Sequence, residues 1–201
     1  MALFAMQSKV LFHDTMAYGS QHHITNIKFQ NLARETLLFG IQDPDQAPWQ
    51  EQLKDVVMLT REAYSLNLAP VDLGERVGIL MSYEDPTRST VRLCFRIVHE
   101  NGKAVACGFQ TMILVHRVTG ELIPPPPLLA RHLDASHDRN LLEILTAPSF
   151  SERLLAGGRG VKEIMSPEML EIGRRIAAAP LHESFPKLVD GTRDLGLTQV
   201  A

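Results

Sequence analysis

Apolar and polar positions change period several times along the chain, and each change marks an element. Between Thr25 and Phe39 the apolar residues Phe29, Leu32, Ala33 and Leu37 recur at three- and four-residue spacing, which lines one stripe of an α-helix. Thr25 or Asn26 can cap its start, and Gly40 stands where a C-cap glycine belongs. Val56–Leu68 and Arg76–Tyr83 read as strands, the first stopped by Pro70 and the second by an Asp85-Pro86 turn. From Ser89 to His99, residues Val91, Leu93, Phe95 and Ile97 alternate with Arg92, Cys94 and Arg96, a period of two that predicts a half-buried strand. Asn101-Gly102 predicts a two-residue type I′ hairpin, in which both central residues take positive φ. The return strand, Lys103–Arg117, is apolar on both faces and needs cover on both. Lys9–His13 adds a short strand before the helix, with a turn-like stretch after it to Gly19.

Thr119-Gly120 makes a turn, and the prolines from Pro124 to Pro127 cannot pair within a sheet, so they predict an extended linker. Beyond them Leu128–Leu133, Arg139–Leu145, Ser151–Ala156 and Pro167–Ala179 read as helices, with Gly157–Gly160 as a flexible joint. Ser166-Pro167-Glu168 supplies a cap, a proline at the first helical position and an acid in the first turn. Pro180 stops that helix, and Asp190–Ala201 is expected to be loosely held. The order is strand, helix, consecutive antiparallel strands, then small helices. It predicts an α+β domain, a long helix lying on an antiparallel sheet, over residues 1–127, with a helical C-terminal extension over 128–201.

Composition narrows the function classes. The 201 residues are 45% apolar and 21% charged, ordinary for a globular chain and enough to bury a core without staples. A net charge of -3 offers no basic footprint for nucleic acid. No run approaches the roughly 18 consecutive apolar residues of a membrane span, and Met1–Gln7 lacks the basic start and cleavage site of a signal peptide. Cys94 and Cys107 form neither a disulfide framework nor a zinc pair, and suit a reducing cytoplasm as small buried hydrophobes. The 8 histidines show no zinc-ligand spacing such as H-E-x-x-H, and neither G-x-G-x-x-G nor a P-loop is present. No metal and no cofactor are therefore expected.

The segment Phe12-His13-Asp14-Thr15-Met16-Ala17-Tyr18-Gly19-Ser20-Gln21-His22-His23, continuing to Ala33-Arg34-Glu35, resembles the signature of the 4-hydroxybenzoyl-CoA thioesterase branch of the hotdog superfamily. That pattern is roughly D-T-D-x-x-G-x-x-x-H, then a helix ending in A-R-E; Asp14-Thr15, Gly19, His23 and Ala33-Arg34-Glu35 match it without a gap. Downstream, Gly108-Phe109-Gln110-Thr111, Thr119-Gly120-Glu121 and the prolines look like the family's last strand and its exit. Gly108-Phe109-Gln110, with Thr60 and Tyr64, looks nearest to thioesterases of polyketide assembly lines, the enediyne type included. The resemblance implies a hotdog fold and a sheet continued across subunits into a homodimer or homotetramer. It also implies hydrolysis of an acyl thioester on coenzyme A or an acyl carrier protein, with a polyketide synthase among the partners it suggests. One position departs: the family's catalytic acid is the second Asp of the motif, and here it is Met16, whose thioether is neither base nor nucleophile toward a thioester. The enediyne-type enzymes also lack that carboxylate and are thought to rely on an Asn there and an Arg in the helix; this chain keeps the arginine, Arg34, but not the Asn.

The resemblance sets Gly19–His23 at the helix entrance, where backbone N–H groups and the helix dipole supply an oxyanion hole. Gly19 there lets the backbone approach a ligand, or simply makes a turn. Ser20, His22, Met16 and Thr60 are candidate substrate contacts. His23 is a candidate general base or hydrogen-bond donor, or else a polar cap or interface contact. Asp14 can orient a water or His23, or cap a turn. Arg34 can bind an anion or polarise a carbonyl, or form a buried ion pair or subunit contact. Glu35 joins the catalytic candidates through the motif, although pairing with an arginine suits it better. Ser20, a neighbouring histidine and Asp14 make no triad without a G-x-S-x-G elbow. The expectation is an acyl-thioesterase whose acyl chain lies in an apolar tunnel between the helix and a partner subunit. Met16 leaves open an acyltransferase, a dehydratase or a decarboxylase on the same fold. A non-catalytic acyl- or carrier-binding protein is the third reading, its C-terminal helices docking a carrier or lidding the tunnel.

Overall fold

One antiparallel sheet organises the chain. A computed structural model describes residues 2–16, 24–40, 54–87, 89–124, 164–179, 187–190 and 198–199. Among these, β1 (Ala2–Lys9), α1 (Thr25–Gly40), β2 (Val56–Asn67), β3 (Arg76–Thr87), β4 (Thr90–His99), β5 (Ala104–His116), α2 (Pro167–Ala178), β6 (Lys187–Asp190) and β7 (Thr198–Gln199) follow in chain order. The strands lie in the order β2-β5-β4-β3-β1-β6-β7. No described helix is long and apolar enough to cross a membrane.

The main core lies between α1 and one sheet face. Phe29, Ala33 and Leu37 form an i, i+4, i+8 row of α1, buried against Phe4 of β1, Met81 of β3, Leu93 and Phe95 of β4 and Met112 and Leu114 of β5. Burying each large side chain contributes about 1.5–3 kcal/mol, which is why this row sets the helix on the sheet. Leu32, the fourth residue of the expected stripe, instead leans out and is 38% exposed.

The opposite face is covered too, and this corrects the half-buried reading of β4. Cys94 and Arg96, on its nominally outward side, are buried. The cover is α2 and the residues leading into it: Ile164 and Met165 pack on Cys94, Val98, Cys107 and Phe109, and Met169, Ile172 and Ile176 pack on Ala5 and Leu80. Arg96 Nε donates to the Ile164 carbonyl at 2.6 Å. Gln7 Nε2 donates to the carbonyls of Ala177 and Ala179 at the other end of the helix, at 2.5 Å and 3.0 Å. The Gln7 amide thus satisfies carbonyls that the C-terminal end of the helix leaves without partners. At its start α2 follows the sequence expectation, with Ser166 Oγ accepting from Met169 N at 3.2 Å and Pro167 at the first helical position.

Three local expectations need correction. The first strand is Ala2–Lys9 rather than Lys9–His13; Phe12–Asp14 is a 3-10 turn with Phe12 81% exposed. The strand forms there because Phe4 pairs with Met81 and drops into the core. β3 runs through Asp85-Pro86 to Thr87, absorbing the proline as a register shift between Glu84 and Thr87. The β4–β5 connection is not a type I′ turn, since only Gly102 takes positive φ, at 86°. His99 N donates to Lys103 O at 2.9 Å and Gly102 N to His99 O at 2.8 Å, the pattern of a longer loop closed by one left-handed glycine. The expected helices 128–133, 139–145 and 151–156 lie outside the described residues, as do the prolines after Pro124 and the joint at Gly157–Gly160. Within the tail expected to be loose, Thr198–Gln199 pairs with β6, which itself pairs with β1.

Cys94 and Cys107 are both buried thiols, and burial pushes the Cys107 thiol up to about 12 against a smaller opposing pull from Arg96. Since thiolate is the reactive form, the native protein is expected to release almost no chromophore from a disulfide thiol reagent, and two equivalents once unfolded. Rapid native labelling would show that this face opens. The same silence makes thiol release a clean readout of thioester cleavage.

Candidate active site

Beside the apolar row, α1 carries a second row four residues apart, Asn26, Gln30 and Arg34, and this row is polar. It runs along β2 in the opposite chain direction. Asn26 Nδ2 donates to Asn67 Oδ1 at 2.7 Å, Gln30 Nε2 to the Tyr64 carbonyl at 3.1 Å, and Arg34 Nη1 to Thr60 Oγ1 at 3.2 Å. Gly108 makes the seam possible: a Cβ there would lie 2.1 Å from the Tyr64 oxygen and 2.6 Å from Gln30 Nε2.

Arg34 is the chemical centre of the seam. Its side chain is 16% exposed. Nη1 also donates to Gln110 Oε1 at 2.9 Å, while Nη2 lies 3.5 Å from Glu35 Oε1, at the limit of hydrogen bonding. Glu35 is 57% exposed, so this ion pair is screened and weak. The guanidinium is thus held mainly by neutral oxygens and keeps its charge. Thr60 sits at the bulge of β2, where the register shifts between Thr60 and Glu62, and residues 59–63 are exposed. β2 is the terminal strand of the sheet, so Arg34 reaches the surface beside an edge that presents backbone hydrogen-bonding groups.

Asp14 falls on the structural side of its two readings. Its Oδ2 accepts from Leu11 N at 2.9 Å, its Oδ1 accepts from the Lys28 ammonium, and its carbonyl takes the Thr25 hydroxyl at 2.9 Å. Burial pushes its carboxyl up, but Lys28, the Leu11 N–H and His13 together hold it below the ordinary 3.8. A carboxyl lowered in the folded state stabilises it above the unfolded value, and the gain fades as pH falls through the folded one. Asp14→Ala, which strands the Leu11 N–H, is expected to cost roughly 1–3 kcal/mol at pH 7. In urea melts the difference from wild type should shrink below pH 3.8; a gap unchanged at pH 3 would show that charge has no part in it.

Arg34, Glu35 and Thr60 therefore come together, and Asp14 sits at the turn before α1. Met16 is half-buried beyond that turn. Gly19, Ser20, His22 and His23 lie outside the described residues. No group of three or more metal-binding side chains occurs among the described residues. Sequence reasoning missed the amide row and the role of Gln110. The signal was there in part, as one amide in a strand otherwise apolar on both faces.

About two thirds of the chain superposes on solved structures. A 1,4-dihydroxy-2-naphthoyl-CoA thioesterase from Synechocystis superposes with a TM-score of 0.56 at 16% identity, over 67% of this chain and 98% of that one. The fold is the hotdog fold. The dynemicin thioesterase, described with effects upon polyene binding, matches with a TM-score of 0.55 at 19% identity, over 64% of this chain and 96% of that one. A gentisyl-coenzyme A thioesterase gives 0.52 at 19% identity, over 64% and 98%. No family model and no curated protein matches the chain in sequence.

Proposed function

We propose that this hotdog protein is an acyl-thioesterase, hydrolysing an acyl thioester of coenzyme A or an acyl carrier protein, with a polyketide-like chain as the acyl group. The observation that carries the reading is Arg34: a partly buried guanidinium held by Thr60 and Gln110 rather than neutralised by a carboxylate. Such a cation suits the negative charge that develops on a thioester oxygen. Water adds to the carbonyl carbon, the oxyanion rests on Arg34, and the C–S bond then breaks. The sulfur leaves as thiolate and takes up a proton, giving free acid and free thiol. His23 remains the candidate base for the water, while Gly19, Ser20 and His22 would line the helix entrance. A second copy joined along β2 would close over Arg34, in a homodimer or a pair of them. Two of the neighbouring solved structures are coenzyme A thioesterases by their printed names, which supports the substrate class.

A second reading is acyl transfer. Met16 offers no base, and both oxygens of Asp14 are engaged. A site with a charged electrophile and no committed water base suits an incoming acyl acceptor as well as water.

The test is turnover of hexanoyl-, decanoyl- and benzoyl-coenzyme A and of decanoyl-acyl carrier protein, following thiol and acid together. Free acid formed in step with thiol establishes hydrolysis. Thiol release only when a nucleophilic acceptor is added establishes transfer. No release with any of the four sinks the thioesterase reading.

A further inference from the structure

Gln110 is fully buried in β5, at the centre of a strand whose other inward residues are apolar. Both ends of its amide are used. Oε1 accepts from Arg34 Nη1 at 2.9 Å, and Nε2 donates to Asn31 Oδ1 at 2.8 Å. Arg34 can only donate, so the amide has one orientation. Asn31 and Arg34 stand three residues apart on α1, and the Gln110 amide is wedged between them. Hydrogen bonding alone does not explain this choice, because a carboxylate oxygen would accept from the guanidinium as well as an amide oxygen does. The chemistry does. A carboxylate here would hold the guanidinium but cancel its charge, and a leucine would leave the charge but release the head. A glutamine fixes the head and leaves the charge intact.

We propose that Gln110 is the positioning residue of this site, holding the Arg34 guanidinium still and uncancelled beside β2 for the thioester oxygen. The proposal rests on the thioesterase reading above and goes beyond it by assigning a residue that makes no contact with substrate.

The experiment compares wild type, Gln110→Leu, Gln110→Glu and Arg34→Ala in two measurements. The first is the rate of phenylglyoxal labelling at Arg34, read by peptide mass spectrometry, which needs no turnover. The second is kcat and KM for decanoyl-coenzyme A across pH 5–9. Gln110→Leu is expected to label severalfold faster and to lose roughly 10- to 100-fold in kcat with little change in KM. Gln110→Glu keeps the shape, labels more slowly, and should be weakly active across the range, because the introduced carboxylate cancels the charge of the guanidinium it holds. Equal labelling in wild type and Gln110→Leu overturns the proposal. So does a normal kcat and pH profile in both Gln110 variants while Arg34→Ala is inactive, and that result leaves the thioesterase reading standing. If wild type cleaves no decanoyl-coenzyme A, that reading fails for this substrate, and the labelling rates alone decide whether Gln110 holds Arg34.

Discussion

Arg34→Ala is expected to lower kcat for thioester hydrolysis by about 10²–10³, close to the loss of one oxyanion donor, with a much smaller change in KM. The effect is on kcat because the charge it meets exists only in the transition state; a contact equally strong in the ground state would appear in KM. Alanine also strips the buried Gln110 Oε1 of its donor, which costs roughly 1–3 kcal/mol of stability. Arg34→Gln separates the two effects. It keeps an N–H for Gln110 and removes the charge, so it should hold most of the stability and recover little of the rate. Arg34→Lys keeps the charge as a point on a flexible stem that cannot reproduce the planar fork, and should fall between. Steady-state kinetics beside urea melts for the three variants check this. A near-normal kcat in Arg34→Gln would mean the guanidinium is a structural pin and the oxyanion is stabilised elsewhere.

How much of this was legible beforehand varies with the range of the interaction. The helix at Thr25, the strand beginning at Val56, the return strand after Lys103 and the cap at Ser166 all follow from short-range rules of spacing and capping, and the structure has them there. The outer face of β4 does not obey such a rule. Cys94 and Arg96 look solvent-facing by alternation, but their cover comes from Ile164 and the residues after it, far along the chain and invisible to any local period. Leu32 was placed in the buried stripe because hydrophobicity was the only guide. Asn26 and Gln30 are buried instead and Arg34 partly so, because β2 offers carbonyl and side-chain oxygens that accept from all three. Polar residues become inward-facing only when partners exist, and partners are a tertiary fact. The site divides the same way. Arg34 stands out in the sequence by its motif, but Gln110, which holds it, shows there only as part of a strand.

Gly78→Ala should be among the most destabilising single-methyl changes in this protein. A Cβ at Gly78 would lie 2.2 Å from the Gly173 carbonyl oxygen of α2, and backbone cannot swing aside as a side-chain tip can. In a strand, alanine for glycine should otherwise gain about 0.5–1 kcal/mol, so any net loss measures the clash. Overpacking of this kind costs about 1–3 kcal/mol and sometimes more, and the upper end is expected here, a fall in Tm of roughly 5–10 °C for a domain of this size. Gly173→Ala is the informative partner. Its Cβ would meet Val98 Cγ2 at 2.5 Å and Val98 Cβ at 2.6 Å, a side chain rather than backbone, and alanine in a helix interior regains about 1 kcal/mol. It should therefore be milder than Gly78→Ala. Thermal melts give the order, and limited proteolysis between α2 and the sheet shows whether the helix lifts off. If α2 lifts while thioester turnover by the remaining fold persists, the helix is a cover for the sheet alone. If turnover falls with it, the face opposite α1 sustains the Arg34 site through the sheet, from β4, on which α2 packs, to its neighbour β5, which carries Gln110.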